Sequence, residues 1–303
     1  VTPRPGRIVA GVVVQGAAHL AGAQGCQDAF RAAASPDGAT LVLAVADGAG
    51  SRERGALGAH LAVDTACRLL AADPPPPGAE AAEWTAWLDG RTDAVLAAHQ
   101  RAVQALLAAE RGDGGTAGGE PGDGGERDGK QGDGKAGARG GADALATTLA
   151  AAVIRPPWVG FLQVGDCFGT VLTCPQGKEG KEGEEGDQAR LALPPQPTAF
   201  LSTPGVRERA VTLVLCEPRL TGVVLATDGC APLVLDAPSV HGRPGADGPQ
   251  PSPRFFGPLA ARLRAGRGDA TPLQALLLAP GAARSGDDLT VLCALSPGGA
   301  PWR

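Results

Sequence analysis

Residues 40–51 read Thr-Leu-Val-Leu-Ala-Val-Ala-Asp-Gly-Ala-Gly-Ser. The run 40–46 is continuously apolar, short and rich in Val and Leu, which predicts a buried strand. It stops at Asp47-Gly48. A carboxylate at a strand end is held by a rigid element and still stands exposed at the sheet edge. The pattern recurs along the chain. Asp166 follows Phe-Leu-Gln-Val-Gly, Asp228-Gly229 follows Val-Val-Leu-Ala-Thr, and Asp287-Asp288 precedes Leu-Thr-Val-Leu-Cys-Ala-Leu. Asp28 sits between the first two expected strands. Any one Asp-Gly after a strand is an ordinary turn. The joint occurrence, in this order and with these flanks, is what points to chemistry.

Several carboxylates meeting at one place repel one another unless a cation lies between them. All-oxygen ligation suits Mg²⁺ or Mn²⁺ rather than Zn²⁺. A glycine after the aspartate lets a backbone carbonyl approach the ion without a Cβ in the way. Two ions about 3.5–4 Å apart, sharing a water, would bring its pKa down from about 15.7 toward neutrality. They would also neutralise charge developing on a transferring phosphoryl group. Phosphate monoesters need so strong an electrophilic centre because their uncatalysed hydrolysis is among the slowest known.

Outward from 40–51, strands are expected at 8–15, 145–154, 158–165, 167–173, 211–216, 220–227 and 288–295. Helical spacing of apolar residues marks 54–72, stopped by Asp73 and four prolines, and 79–110, with Trp84, Trp87, Leu88, Val95, Leu96 and Val103 on its apolar side. Helices are also expected at 255–265 and 272–279. Adjacent strands joined by short turns, among them Glu217-Pro218-Arg219, suggest antiparallel pairing. Helices grouped in pairs suggest sheets covered by helix layers rather than alternating βαβ units. No internal repeat is present.

The chain of 303 residues is read as one domain spanning 1–303. Fourteen glycines in the thirty positions 112–141 cannot bury enough apolar surface to offset their ordering entropy, so that stretch reads as a flexible insertion. A charged loop at 175–189 has a similar composition, and all four lysines of the chain fall in these two segments. Residues 236–254, rich in Pro and Gly, form a third irregular stretch. Net charge is −5 with no basic stripe, which argues against nucleic acid and against membrane adsorption. Seven cysteines without metal-type spacing fit free thiols in a reduced, cytoplasmic protein. No apolar run approaches the length of a membrane span, and residues 1–7 lack the apolar core of a signal peptide. The dominance of Ala, Gly, Pro and Arg suggests a GC-rich bacterial genome.

Six segments in collinear order carry a family resemblance: Gln27-Asp28-Ala29, Val45-Ala46-Asp47-Gly48-Ala49-Gly50-Ser51, Ala146-Thr147-Thr148-Leu149, Val164-Gly165-Asp166-Cys167, Thr227-Asp228-Gly229 and Gly286-Asp287-Asp288-Leu289-Thr290-Val291. Together they resemble the PPM-type metal-dependent protein serine/threonine phosphatases, the protein phosphatase 2C family, in its bacterial form. The resemblance implies an α+β fold, a four-layer αββα sandwich of two antiparallel sheets flanked by helix pairs, with the metal centre at one end between the sheets. It implies that Asp47 bridges two divalent ions, Mg²⁺ or Mn²⁺, and that the Gly48 carbonyl ligates one. Asp228 and Asp287 would bind one ion, and Asp28 the other. Asp166 with Asp228 would hold a third, weaker ion. Asp288 would fix its loop rather than bind metal.

The implied substrate is a phosphorylated protein, and a cognate Ser/Thr kinase would be the partner that makes it; a monomer is expected. Many members carry a phosphate-gripping arginine five residues before the Asp28 equivalent, where this chain has Ala23. His19 is the expected stand-in as phosphate contact or proton donor, with Arg31 and Arg52 as other candidates. The missing arginine also leaves open a pseudophosphatase that keeps the fold as a regulatory or binding module.

Overall fold

The computed structural model describes residues 7–50, 54–113, 141, 143–175, 186–241, 248–279 and 285–302. Arg52, and the glycine-rich stretch expected at 112–141 apart from its ends, lie outside them.

Two five-stranded sheets form the centre. One has the order β1-β12-β9-β6-β7, built from β1 (Ile8–Val14), β12 (Leu289–Leu295), β9 (Leu220–Ala226), β6 (Phe168–Thr173) and β7 (Gln188–Leu193). The other has the order β2-β3-β4-β5-β8, from β2 (Asp28–Ala34), β3 (Leu41–Asp47), β4 (Leu149–Arg155), β5 (Trp158–Val164) and β8 (Val211–Cys216). Every neighbouring pair is antiparallel.

The alternation of side chains along each strand builds the layers. In β3, Leu41, Leu43 and Val45 join Phe161, Val171, Val223, Leu225 and Leu292 in the core between the sheets. Val42, Ala44 and Ala46 point the other way, onto α2 (Gly55–Leu70) and α3 (Ala81–Asp113). The inward stripe of α2 is largely Ala59, Ala62 and Ala66, small enough to bring the helix close to the sheet, while α3 contributes Trp84 and Leu88. Across the molecule the first sheet is covered by α6 (Pro253–Ala265) and α7 (Thr271–Leu277) through Phe255, Phe256, Leu259, Leu263 and Leu273. The result is the αββα sandwich. Shorter helices are α1 (Ala17–Ala21), α4 (Val206–Arg209) and α5 (Ala231–Val234).

Several sequence expectations need correction. Short turns do not always join paired strands. β5 and β6 are separated only by residues 165–167, and β8 and β9 only by residues 217–219, yet each pair is split between the two sheets. Gly165, at φ +91°, makes the first of these crossings in a backbone region that favours glycine. β4 starts at Leu149 rather than 145; ahead of it only Thr147 makes an isolated bridge, to Gly48 just past β3. β7 begins at Gln188, inside the expected charged loop 175–189, of which 176–185 lie outside the described residues. The expected irregular stretch 236–254, of which 242–247 lie outside the described residues, is bordered by β10 (Leu235–Asp236), which pairs with β11 (Gln250–Pro251) in a two-stranded ribbon. All seven cysteines are free thiols, and four of them are buried.

Candidate metal centre

Antiparallel topology brings the acids to one end of the sandwich. β2 begins at Asp28 beside the point where β3 ends at Asp47, and the two are register partners. β5 runs parallel to β3 two strands away, so Asp166 just past its end reaches the same edge. In the facing sheet β9 ends just before Asp228, and β12, antiparallel to it, starts just after Asp287. Residue parity puts Asp28 and Asp47 on the inter-sheet face with Phe30 and Val45. Arg31 lies on the opposite face, where it pairs with Asp64 of α2 at 2.8 Å. It is thereby turned away from the acids, and the expectation that it contacts phosphate does not hold.

Ligand oxygens of Asp47, Asp166 and Asp228 lie within 4.8 Å of one another. Burial, then the charges of Asp28, Asp228, Asp287 and Asp166, push the Asp47 carboxyl well above the ordinary range. Burial likewise raises Asp28, with Asp288 and Asp287 adding to it and hydroxyl donors opposing it. Asp228 is pushed up to about 6 by burial and by Asp166 and Asp287. Asp287 is thus felt by all three. Among the described residues, none of Asp28, Asp47, Asp166 and Asp228 has a basic ion-pair partner. Asp166 Oδ1 is buried with no hydrogen-bond partner. An all-oxygen donor set of mutually repelling, uncompensated carboxylates fits a hard divalent cation.

The scaffold behind the acids comes largely from threonines. Asp47 N donates to Thr148 Oγ1 (3.0 Å), and Thr147 Oγ1 and Thr148 N both donate to Asp47 O (2.9 Å each). Thr227 Oγ1 donates to Asp28 Oδ2 (2.8 Å) and accepts from Thr290 N (3.1 Å), which ties β2 to the β9–β12 pair. Gly48 N donates to Gln27 O (3.1 Å). A Cβ on Gly48 would stand 2.3 Å from the Gly55 carbonyl carbon, so glycine is needed there for the approach of α2 as well as for access to its own carbonyl.

Asp288 is buried and binds chain, as the sequence led us to expect. It accepts from Gly16 N and Gln27 N, each at 2.6 Å. Burial alone would raise its pKa, but these amides and His19 outweigh burial and hold it below the usual carboxylate value. His19 Nδ1 lies 2.9 Å from Asp288 Oδ1, an ion-pair distance outside hydrogen-bonding geometry. Its Nε2 lies 4.0 Å from Asp287 Oδ1 and faces Gly50. His19 is therefore mostly buried and borders the acid cluster. Ala23 follows α1 in an exposed turn at φ +52°.

Two groups at the site escaped the sequence reading. Thr227 appears in the motif only as the residue before Asp228. Thr198 donates to Asp166 Oδ2 at 2.6 Å from a loop without periodic pattern.

The family model for protein phosphatase 2C matches residues 15–277. No curated protein matches the sequence. Among solved structures, the Mycobacterium tuberculosis serine/threonine phosphatase PstP/Ppp is similar at 16% identity and TM-score 0.52, over 96% of this chain and 99% of that one. The catalytic domain of PstP in complex with two manganese ions gives 17% and 0.52, over 96% and 98%. The S. agalactiae serine/threonine phosphatase gives 14% and 0.53, over 96% and 99%. Identities this low speak to the shared sandwich. The family match spans most of the chain and contains four of the five clustered acids, so the chain belongs to the protein phosphatase 2C family of metal-dependent serine/threonine protein phosphatases.

Proposed function

We propose that Asp28, Asp47, the Gly48 carbonyl, Asp228 and Asp287 hold two divalent cations, Mg²⁺ or Mn²⁺, and that Asp166 with Asp228 holds a third. The observation that carries this is the meeting of Asp47, Asp166 and Asp228 within 4.8 Å, without a basic partner among the described residues. When bound, such ions act as Lewis acids that lower the pKa of a water and offset charge on the phosphoryl group.

The protein's own contribution is positioning. Thr147 and Thr148 fix the backbone of Asp47 on both its N–H and its C=O, so its carboxylate projects from a set point between the sheets. Thr227 fixes the rotation of Asp28. Asp288 docks the segment 16–27 against the start of β12 and so holds His19 at the rim. His19 Nε2, facing Gly50, serves as phosphate contact or proton donor in place of an arginine at Ala23. We take the substrate to be a phosphoprotein made by a cognate Ser/Thr kinase, the enzyme to work as a cytoplasmic monomer, and residues 1–303 to act as one unit. No helix among the described residues is long and apolar enough to cross a membrane. The alternative, a binding module without turnover, has no observation of its own to favour it.

The test is Mn²⁺-dependent hydrolysis of p-nitrophenyl phosphate and of a phosphothreonine peptide by the purified chain, with Asp228→Asn as control. Wild type should turn over both and the variant neither. A folded wild type that is inert in excess metal would overturn the reading.

A further inference from the structure

The loop between β7 and β8 is fastened to the acid cluster at three points. At its start the fully buried Gln163 donates its amide to Pro194 O (2.9 Å) and to Cys167 O (2.7 Å). Midway along it Leu201 N donates to Thr147 O (2.9 Å), and Thr147 holds the Asp47 carbonyl. Between them Thr198 Oγ1 donates to Asp166 Oδ2. The backbone approach is close as well: Ala199 O lies where a Cβ on Gly165 would meet it at 2.7 Å.

The two oxygens of Asp166 have different surroundings. Oδ2 takes the Thr198 hydroxyl, and Oδ1 is buried with no partner, in a group whose ligand atoms lie within 4.8 Å of one another. A neutral donor on one oxygen fixes the plane of the carboxylate and leaves the other oxygen for a cation. Thr198 itself is exposed, so packing does not account for its alignment.

We infer that Thr198 is a positioning residue for Asp166: its hydroxyl sets the rotation of that carboxylate and thereby the cation affinity of the Asp166–Asp228 edge of the centre. This rests on the reading of Asp166 and Asp228 as ligands given above. Partners of this kind are worth about 10–100-fold in metal affinity or activity.

The test uses the full chain in three forms, wild type, Thr198→Val and Thr198→Ser, with Asp228→Asn in parallel. Calorimetric titration with Mn²⁺ reads the number and strength of binding steps. The Mn²⁺ dependence of p-nitrophenyl phosphate hydrolysis reads kcat and KM. Thr198→Val, close in shape but without the hydroxyl, should weaken the weakest Mn²⁺ step at least about tenfold and raise the Mn²⁺ needed for half-maximal turnover, with KM for the ester unchanged. Thr198→Ser should stay within about twofold of wild type. Thr198→Val titrating like wild type, or Thr198→Ser failing as badly as Thr198→Val, overturns the role. If Asp228→Asn binds Mn²⁺ as wild type does, the ligand assignment falls and this proposal with it. If Asp228→Asn loses binding while Thr198→Val keeps it, Thr198 alone is misassigned.

Discussion

Asp28 and Asp47 face each other across β2 and β3 as the terminal pair of that ladder, two carboxylates side by side on the inter-sheet face. Like charges directly opposite one another on a sheet are destabilising. Here the repulsion is sharpened by burial and by three further acids at the same edge. The metal-free protein therefore carries a cost that cation binding removes.

Removing one charge should relieve that cost. An acid whose native pKa stands above its unfolded value of about 3.9 leaves the native state less stable as pH rises from there toward neutrality. At neutral pH, Asp47→Asn should raise the melting temperature in EDTA by a few degrees, equivalent to roughly 1–3 kcal/mol. The same variant should lose turnover and the upward shift that Mn²⁺ gives the wild type. Differential scanning calorimetry with and without metal reads both effects.

Thr148→Val removes the hydroxyl that accepts from Asp47 N at 3.0 Å. An unpaired amide at a nearly enclosed strand end costs about 1–3 kcal/mol. Because the same group aims Asp47, kcat should drop more steeply than the stability loss alone would explain. Urea denaturation beside steady-state kinetics separates the two, and Thr148→Ser should restore most of each.

Asp288 accepts two backbone amides from segments that are distant in sequence. Asp288→Ala leaves both buried amides without their acceptor, for a loss of about 2–5 kcal/mol. Asp288→Asn keeps one acceptor oxygen and should lose less than half as much. Chemical denaturation of the metal-free proteins checks the order of the two variants without reference to activity.

His99, on α3, is buried with Nε2 unpaired, and burial lowers its pKa to about 4 from 6.5. The unfolded chain takes up a proton as pH falls through about 6.5 while the native protein does not until about 4. Stability is therefore lost as pH drops across that window, by about 3 kcal/mol in all at 1.36 kcal/mol per unit. The clustered acids act in the opposite direction over the same range, so the readout is the difference between proteins: His99→Leu should gain on wild type in denaturation midpoint progressively as pH falls from 6.5 to 4. A variant whose midpoint keeps the same offset from wild type at every pH over this range would contradict the assignment.

Asp47, Asp166, Asp228 and Asp287 were legible in the sequence because each stands where an apolar β-run stops or starts, and rigid strands carry that local signal faithfully into space; Asp28 was reached only through the family resemblance. Asp288 was legible for the same reason. The elements that escaped lie where local signals are weakest. β2 is mostly alanine after Phe30, and alanine does not favour strands. β7 is an edge strand whose side chains are partly solvated, so it lacks an apolar run. The split of β5 from β6 between sheets was hidden because a three-residue connection looks the same whether it closes a hairpin or crosses to another layer. Thr198 could not be read at all, since its partner is 32 residues away and its own neighbours are turn-formers. Arg31 was misread for want of parity: an odd offset from Asp28 places it on the far face of the strand.

β12 sits between β1 and β9 and, among the described residues, follows every other strand. It brings Asp287 and the Asp288 clasp with it. On the ribosome, then, the first sheet waits without the strand that joins β1 to β9 while its other four strands already exist. Until that segment emerges, the N-terminal turn bearing His19 has nothing to dock on, and the acid group is short of a member. A chain that stops short of β12 thus lacks Asp287 and the Asp288 clasp together.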